Sequence, residues 1–91
     1  MASQAERNLR IVNSKGLHAR AAAKLAKLVD EFDAVIVISK ASMEVPGNSI
    51  MGLMMLGAGP GSIIGVRASG KEASPAIDAI SNLVSEGFNE E

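Results

Sequence analysis

The sequence predicts an α+β two-layer sandwich. Two amphipathic stretches with apolar residues at three- and four-residue steps alternate with short β-branched or alternating segments. Turn residues punctuate every junction, with no internal repeat and no linker. The resulting order is β-α-β-β-α-β-α, with helices segregated to one face of a mostly antiparallel sheet.

Each element has its own local reason. Arg7 to Asn13 sets Leu9 and Ile11 on one face and Arg10 and Val12 on the other, which predicts a first strand. Ser14-Lys15-Gly16 forms a turn. From Ala19 to Phe32, Ala22, Leu25, Leu28, Val29 and Phe32 share a stripe, and the Ala, Leu and Lys filling favours helix. Ala34 to Ser39 is continuous and β-branched, so it predicts a strand covered on both faces. Lys40 to Pro46, with Met43 and Val45 on one side, predicts an edge strand ended by Pro46-Gly47.

Asn48 to Leu56 predicts a short helix capped by Asn48 or Ser49. Gly57 to Gly61 is a loop. Ser62 to Ser69 returns to strand, with Ile64, Val66 and Ala68 facing one way. The last helix is expected from about Ser74 to Glu86, with Ser74 as cap and Pro75 in its first position, though Lys71 offers an earlier start. Ile77, Ile80, Leu83 and Val84 form its buried stripe, and Gly87 stops it.

Length and composition bound the function. The 91 residues make a single domain, with a core expected over about 7–88, a short flexible N-terminus and an acidic C-terminal end. Phe32 and Phe88 are the only aromatic residues, so aliphatic side chains and methionine must build the core. The absence of cysteine removes disulfides, thiol catalysis and iron–sulfur ligation. No apolar run approaches the ~20 residues a membrane span needs, and the first residues lack a signal core. A cytoplasmic protein without membrane insertion is expected.

Net charge is −1, but its distribution is uneven. Residues 7–27 carry Arg7, Arg10, Lys15, Arg20, Lys24 and Lys27 and no acid, whereas residues 86–91 carry Glu86, Glu90 and Glu91 and no base. A basic half on a near-neutral chain favours an acidic protein partner over nucleic acid. Stacking aromatics on the strands are also missing. A single histidine and no paired-carboxylate motif give no metal site, and no cofactor motif is present. Gly57-Ala58-Gly59-Pro60-Gly61 lacks the ending of a phosphate-binding loop, so it is a turn.

Chemistry concentrates at Gly16-Leu17-His18-Ala19-Arg20. His18, the only histidine, falls where the turn meets the first helix. First-turn amides there lack internal partners and carry partial positive charge. That field disfavours an imidazolium and leaves a nucleophilic ring nitrogen. The backbone of Ala19 and Arg20 would receive a phosphoryl group on the ring, and the Arg20 guanidinium would pair with its oxygens. Position alone leaves a surface or capping histidine as the commoner alternative.

The segment Gly16-Leu17-His18-Ala19-Arg20-Ala21-Ala22-Ala23-Lys24-Leu25 resembles the active-site segment of HPr, the histidine phosphocarrier family of the bacterial phosphotransferase system, and of its nitrogen-branch relative NPr. Asn48-Ser49-Ile50-Met51-Gly52-Leu53-Met54-Met55-Leu56 resembles the family's regulatory-serine helix. Both blocks stand in the family's order and spacing, and the similarity extends from about Arg7 to Phe88. The resemblance implies an open-faced sandwich with a four-stranded antiparallel sheet and three helices on one face. It implies a stoichiometric carrier rather than an enzyme, and a monomer is expected. Enzyme I, charged by phosphoenolpyruvate, would phosphorylate His18 on Nδ1, and an enzyme IIA-type domain would receive the group. Arg20 would be the conjugate arginine. Ala21 departs from the family, which usually has proline there.

The resemblance further implies that Ser49 is a regulatory phosphorylation site for an HPr kinase/phosphorylase; from the residues alone it is equally a helix cap. Arg20, Lys24 and Lys27 share one helix face beside His18, either a solvated stripe or a docking surface. Ile50, Met51, Met54 and Met55 cannot all face so thin a core, so some should join an exposed apolar docking patch, with Leu17 beside them. A phosphorylation-dependent regulatory binding protein, as NPr-like chains suggest, is the alternative to a sugar-transport carrier.

Overall fold

The computed structural model describes residues 3–90, arranged as four strands and three helices. They are β1 (Ser3–Arg10), α1 (Ala19–Val29), β2 (Val35–Lys40), β3 (Met43–Pro46), α2 (Ile50–Met55), β4 (Ile63–Gly70) and α3 (Ala73–Ser85). The sheet order is β1-β4-β2-β3, with every neighbouring pair antiparallel. All three helices lie over one face, as the α+β open-faced sandwich requires.

The core is the inner sheet face against the helical stripes. Ile36 and Ile38 of β2, Val45 of β3 and Ile64, Val66 and Ala68 of β4 meet Ala22, Leu25 and Val29 of α1 and Ile77, Ile80 and Val84 of α3. Each fully buried Leu, Ile or Val contributes about 1.5–3 kcal/mol over leaving it in water. Phe88 fills the end of this core with no exposed surface.

Several boundaries differ from the sequence expectation. β1 begins at Ser3 rather than Arg7, because pairing with β4 runs from Ser3↔Gly70 to Arg10↔Ile63. Residues 3–6 are therefore strand, not a flexible lead-in; residues 1 and 2 lie outside the described residues. α1 closes at Val29, not Phe32. Glu31 and Phe32 donate to Leu28 and Val29, three residues back, so the chain tightens out of the α geometry. Lys40 belongs to β2, and the hairpin turns at Ala41 and Ser42, leaving Met43 at its exposed end.

β2 is covered on one face only. Val35 is 67% exposed, and Ile63 on β4 is 48% exposed, because no element packs on the outer side. A continuous β-branched run thus marks strand preference here, not double coverage.

α3 starts one residue before Ser74, so Glu72 occupies the cap position and Pro75 is the third helical residue. The start is fixed from outside the helix. Glu72 donates its N–H to the Asp33 carbonyl at 2.9 Å, and its carboxylate accepts from the Asp33 N–H at 2.7 Å. Pro75 is tolerated because a third-position amide has no intrahelical acceptor. Gly87 ends the helix with φ +63°, as a C-terminal glycine should. Phe88 (φ +57°) and Asn89 (φ +61°) continue in the left-handed region, so the tail turns back toward the start of α1.

Candidate functional site

The site begins with the turn before α1. Gly16 has φ +63°, and a Cβ there would stand 2.4 Å from the Ala58 carbonyl oxygen, so only glycine fits. Leu17 then donates its N–H to that same carbonyl at 2.9 Å. The loop after α2 thus braces the turn that presents His18.

His18 occupies the N-cap position of α1 with extended backbone (φ −78°, ψ −179°). Its carbonyl accepts the first helical bond from Ala22 at 2.8 Å, while its side chain makes no capping bond. The ring is therefore held at the helix entrance without covering the amides of Ala19, Arg20 and Ala21, which have no intrahelical acceptor. Ala21, at the position where the family usually has proline, sits fully buried in this first turn. The third-position amide needs no partner in either case.

His18 lines an open cleft of about 350 Å³ with Ser14, Lys15, Arg20, Lys24, Asn89 and Glu90. Three cationic side chains and one carboxylate share it. The arrangement is electropositive and polar, suited to an anion rather than an apolar ligand. The imidazole side chain is 26% exposed and reaches solvent through this cleft.

Glu90 enters from the opposite end of the chain. One carboxylate oxygen bonds His18 Nε2, and the other accepts from Asn13 Nδ2 at 2.9 Å. The His18 contact first, then the Asn13 amide, hold the Glu90 carboxyl below the usual carboxylate range. Asn13 is itself buried and also donates to the Gly16 carbonyl at 2.9 Å. Lys24 donates to the Phe88 carbonyl at 2.6 Å, tying the left-handed turn to α1.

Of the residues singled out by sequence, His18, Arg20 and Lys24 come together, with the first-turn backbone of Ala19 and Arg20 beside the ring. Arg20 is exposed, whereas the Lys24 ammonium is engaged by the tail. Lys27 is exposed but does not line the cleft. Leu17 corrects an expectation: at 5% exposure it belongs to the core and adds almost nothing to a surface patch, because its position beside the 58–59 loop turns it inward. Ile50, Met51, Met54 and Met55 are all exposed, and Leu53 alone anchors α2 in the core. Ser49 is the N-cap of α2 and accepts from the Gly52 N–H at 3.0 Å.

Sequence reasoning missed Asn13, Lys15 and Glu90. The signal was present as an acidic tail opposite a basic 7–27 segment, but only as composition. Among the described residues, no three His, Cys, Asp or Glu side chains cluster to hold a metal, and no helix is long and apolar enough to cross a membrane.

A family model described as the PTS HPr component phosphorylation site matches residues 5–86. The chain is 46% identical to phosphocarrier protein NPr of Shewanella violacea, over 93% of each chain. It is 41% identical to phosphocarrier protein HPr of Xylella fastidiosa, over 94% of this chain and 97% of that one. The fold superposes on HPr-C-His from Thermoanaerobacter tengcongensis with a TM-score of 0.91 at 36% identity, covering 96% and 98% of the two chains. With a histidine standing at an open helix entrance in an electropositive cleft, the chain belongs to the HPr family of phosphotransferase-system phosphocarriers.

Proposed function

We propose that this chain, acting as one cytoplasmic domain and as a monomer, accepts a phosphoryl group from enzyme I on His18 Nδ1 and donates it to an enzyme IIA-type domain. The observation that carries the reading is the placement of the imidazole: N-cap of α1, side chain not spent on capping, Arg20 and first-turn amides at hand. Free amides of Ala19 and Arg20 and the Arg20 guanidinium stabilise the phosphoryl dianion electrostatically. The chain itself is consumed and regenerated stoichiometrically, needing neither cofactor nor metal.

Docking falls to the cationic face of α1, Arg20 and Lys27 with the partly engaged Lys24, and to the apolar surface of Ile50, Met51 and Met54. Met51 at 76% exposure and Met55 at 70% support a partner-facing role, since so much exposed apolar area on six residues is unusual for a solvated helix. Ser49 is the regulatory site for an HPr kinase/phosphorylase. A phosphate there adds two negative charges beside a surface built for acidic partners, so it weakens docking to enzyme I.

The experiment is incubation with enzyme I and phosphoenolpyruvate followed by intact mass. One phosphoryl group, acid-labile and alkali-stable, is expected on the native protein and none on His18→Ala. Its absence from the native protein overturns the reading. The 46% identity to an NPr favours a second reading, in which the phosphorylation state governs partner binding in nitrogen control rather than sugar import. Transfer to nitrogen-branch but not sugar-branch enzyme IIA domains would decide for it.

A further inference from the structure

We propose that Glu90 is a positioning residue for the carrier histidine: held by Asn13, its carboxylate keeps the His18 proton on Nε2 and so leaves Nδ1 as the nucleophilic lone pair. This inference rests on the phosphocarrier reading and deepens it.

A neutral imidazole has one donor and one acceptor nitrogen, and the partner of one nitrogen dictates the role of the other. A carboxylate only accepts. The contact of Glu90 with Nε2 therefore requires an N–H on Nε2. Among the described residues nothing bonds Nδ1, so that lone pair stays open to the cleft.

The carboxylate is not a stray tail group. Its other oxygen takes a donor from Asn13, whose second partner is the Gly16 carbonyl. Both partners are acceptors, so the Asn13 amide must present its nitrogen to them, and its Oδ1 is left buried without a partner. An orphaned buried carbonyl costs stability, which the fold accepts in order to hold this orientation. The backbone delivering Glu90 is equally constrained. Phe88 is fully buried at φ +57°, in the left-handed region that non-glycine residues enter only when the surroundings enforce it. Lys24 holds the Phe88 carbonyl.

The transfer step balances without a mobile proton. The Nδ1 lone pair attacks the phosphorus of a phosphoramidate donor, and a new N–P bond forms. The old N–P bond breaks with its electron pair passing to the donor's nitrogen. The His18 ring gains positive charge while keeping its Nε2 proton, and the Glu90 carboxylate faces that growing charge. Return transfer reverses each change.

Substitution by an amide turns this geometry against itself. In Glu90→Gln the new carbonyl oxygen pairs with the Asn13 donor, which aims the new NH2 at Nε2 and moves the ring proton to Nδ1. Ring nitrogen NMR on the histidine-labelled protein reads this directly, because one histidine gives one pair of ring signals. At a pH where the ring is neutral, the native protein should show the Nε2–H tautomer and Glu90→Gln a shift toward Nδ1–H. Phosphoryl uptake by Glu90→Gln should fall by about tenfold or more, as a wrong tautomer imposes. Glu90→Ala should show the mixed tautomers of a free imidazole. A native ring carrying its proton on Nδ1, or a ratio unchanged by either substitution, overturns the proposal. A native protein with the expected tautomer that takes no phosphoryl group overturns the carrier reading instead.

Discussion

At the scale of single residues, the site depends on contacts that span the whole chain. Gly16 meets the Ala58 carbonyl, Asn13 meets Glu90, and Glu90 meets His18. Gly16→Ala must move both a left-handed turn and the backbone behind it. It should cost about 2 kcal/mol or more, read as a lower urea midpoint. The Glu90 carboxyl offers a titration test. Its folded value lies below the ordinary 4.5, so its contribution is complete above 4.5 and is lost as pH falls through the depressed value. The Asn13 side-chain amide resonances, which report that contact, should shift with a midpoint below 4.5. A midpoint at or above it would count against the docked carboxylate.

At the scale of elements, the two helix starts that hold the proposed sites are built differently. α2 is capped by its own serine: Ser49 Oγ accepts from the Gly52 amide. Ser49→Ala should cost about 1 kcal/mol by thermal or urea unfolding. Ser49→Asp retains a capping oxygen but adds charge, so it should slow transfer from enzyme I relative to Ser49→Ala; equal rates would argue against a regulatory role. α1 instead leaves its cap histidine free of capping bonds. α3 is anchored by Glu72 against Asp33 and finished by Gly87, and beyond it the tail turns left-handed onto α1. The periodic stripe of each helix was readable along the chain because burial follows its 3.6-residue repeat. Ends were not. α1 ends at Val29, where Glu31 and Phe32 turn to carbonyls three residues back, and α3 begins where the Asp33 loop catches Glu72.

At the scale of the whole molecule, one sheet face is core and the other is bare. Ile38, with no exposed surface, and Val35, 67% exposed, lie in the same short strand. Ile38→Ala should cost about 2–5 kcal/mol, and Val35→Thr should stay within about 0.5 kcal/mol, both measured by urea unfolding. Against a total stability of about 5–15 kcal/mol, the first is severe in so small a protein. The charge pattern also acquires a different meaning in three dimensions. The basic 7–27 segment was expected to face an acidic partner. The chain's own tail meets part of that segment instead, the Glu90 carboxylate at His18 and the neutral Phe88 carbonyl at Lys24.

By itself the sequence determined the element order, the apolar stripes and the location of His18 at a helix start, because each follows from periodicity, propensity and turn chemistry within a few residues. It also placed Arg20 two residues on from His18. Only the tertiary structure decided that Leu17 is core, that β2 is bare on one side, and that Glu90 reaches His18. Those outcomes depend on which distant segments meet. Asn13 and Glu90 are 77 positions apart, and no local rule links them until the sheet and helices bring both ends of the chain together.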